Sequence, residues 1–144
     1  MKRLNDWRAC QLGDVTQTFS GGTPNRSRPE YFGGNIPWIK SGELNQKWIS
    51  KTEEFITEKG LANSATKIVP AGATLIALYG ATAGVVGRTR ISAAINQAVL
   101  AVIPDQKQID DDFLAHVLNH IGSALLRVVQ GAQPNLNAGL VRDS

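Results

Sequence analysis

The chain has 144 residues, a length typical of one domain with a core of its own. Its composition, 42% hydrophobic and 19% charged, is typical of a soluble globular protein, and its longest apolar stretches, such as residues 71–78, are too short to span a bilayer. The single cysteine, Cys10, excludes an internal disulfide and fits a reducing cytoplasm, and the net charge of +3 weakly suggests an anionic partner.

The positive charge is concentrated in the first part of the chain. Residues 1–100 hold twelve Lys/Arg against seven Asp/Glu, whereas residues 101–144 hold three against five. A basic body of this kind favours contact with nucleic acid, while an uneven solvated surface explains it about equally well.

The N-terminal part combines a predicted strand with a Gly/Pro-rich segment. Loose alternation between Trp7 and Phe19 predicts the first strand. Residues 21–39 then hold four glycines, three prolines and three aromatics, a pattern that excludes a helix or a long regular strand and predicts an ordered loop. A short strand is predicted over residues 36–40, and another extended piece over residues 48–56.

The centre of the chain is β-rich and the tail is helical. Residues 74–79 predict a strand buried on both faces, the turn at residues 80–84 breaks it, and residues 98–103 form another apolar strand. The three aspartates at residues 110–112 favour a helix start, and apolar residues recur at helical spacing to residue 129. Gly122 predicts a bend or two helices there.

This pattern predicts an α+β fold with a β-rich irregular body, similar to a β-helix or barrel, and a C-terminal helix or helical hairpin. We expect one domain over residues 1–144, with the β-rich body at about 1–104 and the helical tail at about 109–131.

Residues with catalytic potential are sparse. His116 and His120 have a metal-compatible spacing, but no third ligand is evident, and exposed or edge histidines explain them better. Cys10 has no nearby histidine in sequence to activate it. The sequence therefore predicts no enzyme, no metal and no cofactor of its own.

The polar and aromatic side chains of the predicted loops suit contact with nucleic acid. Arg and Lys can bind phosphate or guanine edges, Asn and Gln can pair with adenine, and Trp38 and Trp48 can pack on a sugar or base, although core positions are commoner for tryptophan. Lys47 belongs to this inventory. The preferred DNA contacts are Arg26, Arg28, Asn35, Lys40, Asn45, Arg88, Arg90 and Gln133.

The order of several short motifs resembles one known family. The motifs are Leu12-Gly13-Asp14-Val15, Gly22-Thr23-Pro24, Tyr31 to Ile39, Ser41-Gly42-Glu43-Leu44, the turn at residues 80–84, Asn96-Gln97-Ala98 and Gln133-Pro134-Asn135-Leu136. In this order the chain resembles the target recognition domain of a type I restriction–modification specificity subunit.

This resemblance implies sequence-specific recognition of double-stranded DNA without catalysis. It implies a modification subunit that binds S-adenosylmethionine and methylates adenine, a restriction subunit, and a second recognition domain or second copy for the other half of a bipartite target. From the family pattern we expect a Pro-rich segment and a long helix to follow residue 144. The alternative is a protein-interaction or dimerisation module that uses the apolar face of the predicted helix at residues 110–130.

Overall fold

The computed structural model describes residues 10–128 and 136–144. Within them the strands are β1 (Thr16–Ser20), β2 (Phe32–Ile39), β3 (Trp48–Ile49), β4 (Glu54–Ile56), β5 (Lys67–Val69), β6 (Thr74–Ala77), β7 (Val86–Thr89), β8 (Ala93–Ile95) and β9 (Val99–Pro104). The α-helices are α1 (Leu12–Val15), α2 (Glu58–Ala62), α3 (Asp111–Val128) and α4 (Ala138–Arg142). Short 3₁₀ helices cover Pro29–Tyr31 and Ser41–Gln46.

The strands form two open sheets. The first sheet has the order β1-β9-β6-β7-β3 and the second β4-β2-β8-β5. Neighbours are antiparallel except β3 with β7 and β2 with β8, which are parallel. Neither sheet of the described residues closes on itself, so the predicted resemblance to a β-helix or barrel is wrong. Evenly spaced short strands do not distinguish these forms, because closure depends on which strands pair.

The first sheet lies between two apolar layers. On one side, Leu75, Ala77, Val99 and Ala101 pack with residues of the second sheet, such as Ile95. On the other side, the alternate residues of β6 and β9 pack against α1, α3 and α4. The prediction of a strand buried on both faces at β6 is therefore confirmed.

About half of the predicted Gly/Pro loop at residues 21–39 is a β-strand. Its second half is β2, an eight-residue strand that includes most of the short strand predicted over residues 36–40 and extends it back to Phe32. Phe32 and Ile36 both pair with Ile56, so the residues between them form a bulge, and Gly33 has a φ of +79° there. The glycines allow an irregular strand because a bulge absorbs the extra residues.

The C-terminal helix begins as predicted. The Asp110 carboxylate accepts the backbone N–H groups of Asp112 and Phe113, each at 3.1 Å. Gly122 does not divide the helix in two, since α3 runs as one helix from Asp111 to Val128. The short α4 packs against α1 and β1, where Leu12 N–H donates to the Ser144 carbonyl at 2.8 Å.

Candidate nucleic-acid interface

Four of the eight predicted contact residues lie in two groups beside edge strands of the two sheets. β3 is the edge of the first sheet, β4 is the edge of the second, and only residues 50–53 separate them. Five residue steps span at most about 18 Å, so the two strands are near neighbours. Each carries a group of charged and aromatic side chains. We call them the Trp48 cluster (Trp48, Arg88, Arg90) and the Glu54 cluster (Glu54, Arg26, Lys40).

Strand register creates the Trp48 cluster. Trp48 pairs with Arg88, and the next pair, Ile49 and Thr89, is completely buried. Because side chains alternate along a strand, Trp48 and Arg88 face away from that core. The guanidinium carbons of Arg88 and Arg90 lie 4.5 Å and 4.7 Å from the Trp48 ring centroid, a distance at which a cation is attracted to the ring. Trp48 stays 38% exposed.

The positive charge of the Trp48 cluster is only partly compensated. Arg88 Nη1 donates to Asp112 Oδ1 at 2.6 Å and Nη2 donates to the Gly72 carbonyl at 3.3 Å. Its Nε is buried without a partner among the residues described. Arg90 is exposed, and no carboxylate in residues 10–128 or 136–144 forms a salt bridge with it. The cluster therefore keeps a surplus cation at the surface.

An open groove of about 560 Å³ runs beside Trp48. Asn45, Lys47 and Trp48 line one side, and Asn119 and Ser123 of α3 line the other. These side chains add amide, hydroxyl and amino groups, which can bind phosphate and base edges, to a lining that is otherwise largely apolar.

In the Glu54 cluster the charged side chains form ion pairs with one another. Arg26 binds Glu54 with both terminal nitrogens, at 2.7 Å and 3.1 Å, and Lys40 Nζ lies 2.8 Å from the same carboxylate. Glu53 is 3.6 Å from Lys40. The Arg26 guanidinium also lies 5.1 Å and 5.2 Å from the ring centroids of Phe32 and Trp38.

These contacts shift the pKa values of all three groups. Hydrogen bonds from Arg26 and then Lys40 lower the pKa of Glu54 to about 2. The hydrogen bond to Glu54 raises the pKa of both Arg26 and Lys40. All three side chains are therefore charged at neutral pH, and Glu54 and Glu53 offset the two cations.

The remaining predicted contacts are dispersed. Arg28 is half exposed, lies 3.2 Å from Glu30 and sits 5.5 Å from the Tyr31 ring centroid. Asn35 is exposed on β2, and Asn45 is exposed at the groove. Gln133 lies outside the described residues. The structure thus places Arg26 together with Lys40, and Arg88 together with Arg90. Arg28 and Asn35 belong to neither cluster.

Sequence reasoning missed Glu54 and the backbone conformation of Lys47. Glu54 holds two of the predicted contacts, but it lies 28 residues from Arg26 and only strand pairing joins them. Lys47 lines the groove at a φ of +65°, and no residue pattern signals that conformation. Trp38 is 1% exposed, and its Nε1–H donates to the Gly22 carbonyl at 3.2 Å.

The remaining polar groups give no second site. His116 and His120 are exposed on α3, and the described residues hold no group of three or more potential metal ligands. Within the same residues, every helix is too short or too polar to cross a membrane.

Relatives with known roles align with most of the chain. It is 29% identical over 129 residues to the EcoR124I/EcoR124II specificity subunit of Escherichia coli, covering 87% of this chain and 31% of that protein. It is 31% identical over 103 residues to the HindI specificity subunit of Haemophilus influenzae, covering 71% and 22%. The chain thus spans less than a third of the length of these relatives.

Solved structures share the fold. The HsdS subunit from Thermoanaerobacter tengcongensis matches with a TM-score of 0.72 and 16% identity, covering 100% of this chain and 33% of that one. A chain from a study of complex assembly in the type I R-M system matches at 0.75 and 14% identity, covering 100% and 34%.

A family profile also matches the chain. The profile described as the type I restriction modification DNA specificity domain matches residues 5–142. Because this match spans nearly the whole sequence, the chain belongs to the family of type I restriction modification DNA specificity domains.

Proposed function

We propose that this chain reads a specific sequence in double-stranded DNA as the target recognition part of a type I restriction–modification specificity subunit, and that it catalyses no reaction itself. The observation that carries the proposal is the family match over residues 5–142. In this proposal residues 1–144 act as one recognition domain.

The charges at the β3–β4 edge support contact with DNA. Arg90 and Lys47 are exposed there beside a groove whose lining includes the side chains of Asn45, Asn119 and Ser123. Cations fix a protein on the phosphate backbone, and amides and arginines read base edges. The surface around β3 supplies both kinds of group.

The eight predicted contacts stay predictions, and for the seven within the described residues the structure suggests how each would act. Arg28 and Arg90 are exposed enough to reach DNA directly, whereas Arg26 and Lys40 must exchange Glu54 for phosphate. Asn35 and Asn45 are exposed amides suited to base edges. Arg88 is mostly buried, so its proposed contribution is to hold Trp48 and Arg90 in place.

We expect the partners to be those of a specificity subunit. A modification subunit would bind S-adenosylmethionine and methylate adenine at the recognised site, and a restriction subunit would cleave DNA. A second recognition domain or a second copy would read the other half of the target. The exposed Cys10 is compatible with a reducing cytoplasm, where we propose that the complex acts.

The alternative, a dimerisation module built on α3, is not favoured. Leu114 and Leu118 are fully buried, and Ile121 and Leu125 pack against the same apolar layer under the first sheet. The apolar face of the helix is therefore occupied within the chain, which leaves Phe113 as the large apolar side chain of α3 that is exposed.

Selection from a random duplex pool tests the proposed function. The chain is mixed with its modification subunit, bound duplexes are recovered over several rounds, and the modification subunit alone is the control. We expect an enriched motif that the control does not enrich. Random output at physiological salt, where sequence-independent electrostatic binding is weakened, would contradict sequence recognition.

A further inference from the structure

Lys47 has a backbone conformation that side chains rarely adopt. Its φ and ψ are +65° and −59°, and it is the one non-glycine residue with positive φ in the described part of the chain. This γ-turn region is strained for residues with a Cβ, and such strain is concentrated at functional sites. Glycine would adopt it more readily, so a lysine at this position needs a reason.

Contacts on both sides fix this conformation. The Lys47 N–H donates to the Leu44 carbonyl at 3.2 Å and ends the 3₁₀ helix at Ser41–Gln46. The Lys47 carbonyl accepts the Arg88 N–H at 2.6 Å and begins the pairing of β3 with β7. The abrupt passage from helix to strand therefore imposes the strain at this residue.

The same contacts place Lys47 next to the Trp48 cluster, where positive charge exceeds negative charge. It is exposed, it lines the groove, and it directly precedes Trp48, which holds Arg88 and Arg90. Asp112 compensates Arg88. Lys47 and Arg90 form no salt bridge within residues 10–128 and 136–144, so two cations stay unbalanced at one place.

We propose that Lys47 and Arg90, both next to Trp48, form a clamp for the DNA phosphate backbone, and that the strained conformation of Lys47 is kept to present its amino group there. This inference rests on the proposed function. An ammonium is a compact point charge that suits a phosphate, and a phosphate contact carries no sequence information. The clamp therefore contributes affinity to every duplex and leaves the choice of bases to other residues.

Substitutions at Lys47 separate its charge from its strain. Lys47→Ala and Lys47→Gly each remove the amino group, so both should weaken binding of target and unrelated duplexes by a similar factor. Each should also reduce the slope of log affinity against log salt by about one phosphate contact. Lys47→Arg should keep the slope, and Lys67→Gln, on β5 at the opposite edge of the second sheet, should leave it unchanged.

Thermal unfolding of the two neutral variants tests the strain. At most positions an alanine variant is more stable than a glycine variant. At a positive φ the order reverses, so we expect a higher midpoint for Lys47→Gly than for Lys47→Ala. A higher midpoint for the alanine variant would overturn the inference. An unchanged salt slope in both variants, with wild-type binding intact, would also overturn it and leave the proposed function standing. If the wild-type chain with its modification subunit bound no duplex, both proposals would fall.

Discussion

Gly122 of α3 and Gly84 of the turn before β7 are in backbone contact. A Cβ on Gly122 would lie 2.5 Å from the Gly84 carbonyl oxygen, closer than a carbon and an oxygen can approach. Gly84 has a φ of +84°, which also favours glycine. The absence of both side chains lets α3 lie directly on this turn and form one wall of the groove.

We predict that Gly122→Ala destabilises the protein although it improves helix propensity. Alanine gains about 1 kcal/mol over glycine inside a helix, but the new methyl overlaps a backbone oxygen, and overpacking costs about 1–3 kcal/mol. Urea unfolding should show a lower free energy of unfolding, by up to about 2 kcal/mol. Gly42→Ala is the matched control, since a Cβ there meets nothing within 4 Å. Equal stability of both variants would contradict the close packing.

The ion pairs of Glu54 predict an acid-dependent part of the stability. The pKa of Glu54 falls to about 2 in the folded chain from an ordinary value of 4.5. A lowered folded-state pKa stabilises the fold above pH 4.5, and this contribution is lost as the pH falls to about 2. Glu54→Gln should therefore reduce the free energy of unfolding at pH 7, and its difference from wild type should shrink between pH 4.5 and 2.

Urea unfolding of both proteins across this pH range measures the effect. Glu53→Gln is the neighbouring control, because that side chain is 74% exposed and lies 3.6 Å from its single cation, Lys40. It should change stability much less, since exposed pairs contribute little. A pH-independent difference for Glu54→Gln would show that its carboxylate is not held by Arg26 and Lys40.

Thr57 joins the loop around Glu30 to α2. Its Oγ1 accepts the Gly60 N–H at 3.0 Å and donates to the Glu30 carbonyl at 2.8 Å. Thr57→Val loses both bonds at nearly constant volume and should cost about 1–2 kcal/mol, the range of a lost N-cap. Hydrogen exchange should accelerate in residues 58–62 and 29–31. Thr57→Ser should retain most of the protection, and equal acceleration in both variants would point to lost packing instead.

The sequence predicted the elements whose signals are local. Asp110 caps α3 through backbone groups two and three residues away, and β6 shows its double burial in the consecutive apolar residues 75–77. The family resemblance, carried by short motifs in order, is confirmed by the profile over residues 5–142.

Features that depend on distant partners could not be predicted. Nothing near Gly122 in the sequence indicates that Gly84 lies against it, so the glycine suggested an interruption at a point where α3 continues. Likewise the Arg26–Glu54 pair depends on the register of β2 with β4, and the Trp48 cluster on the parallel pairing of β3 with β7. Sheet closure also depends on such pairings, which explains the wrong expectation of a barrel-like body.

Charge reversal at Arg28 tests the tip of the Gly/Pro segment as a DNA contact. Arg28 is half exposed and its salt bridge is to Glu30, two residues away, so Arg28→Glu should leave the thermal midpoint nearly unchanged. If Arg28 meets a phosphate, duplex affinity should fall and the salt slope should decrease by about one. Arg26→Glu should instead lower the midpoint, because it places two carboxylates together beside Lys40. Fluorescence anisotropy with labelled duplex at several salt concentrations measures both variants, and Lys67→Glu serves as the charge-matched control. An unchanged slope for Arg28→Glu would remove this residue from the predicted interface.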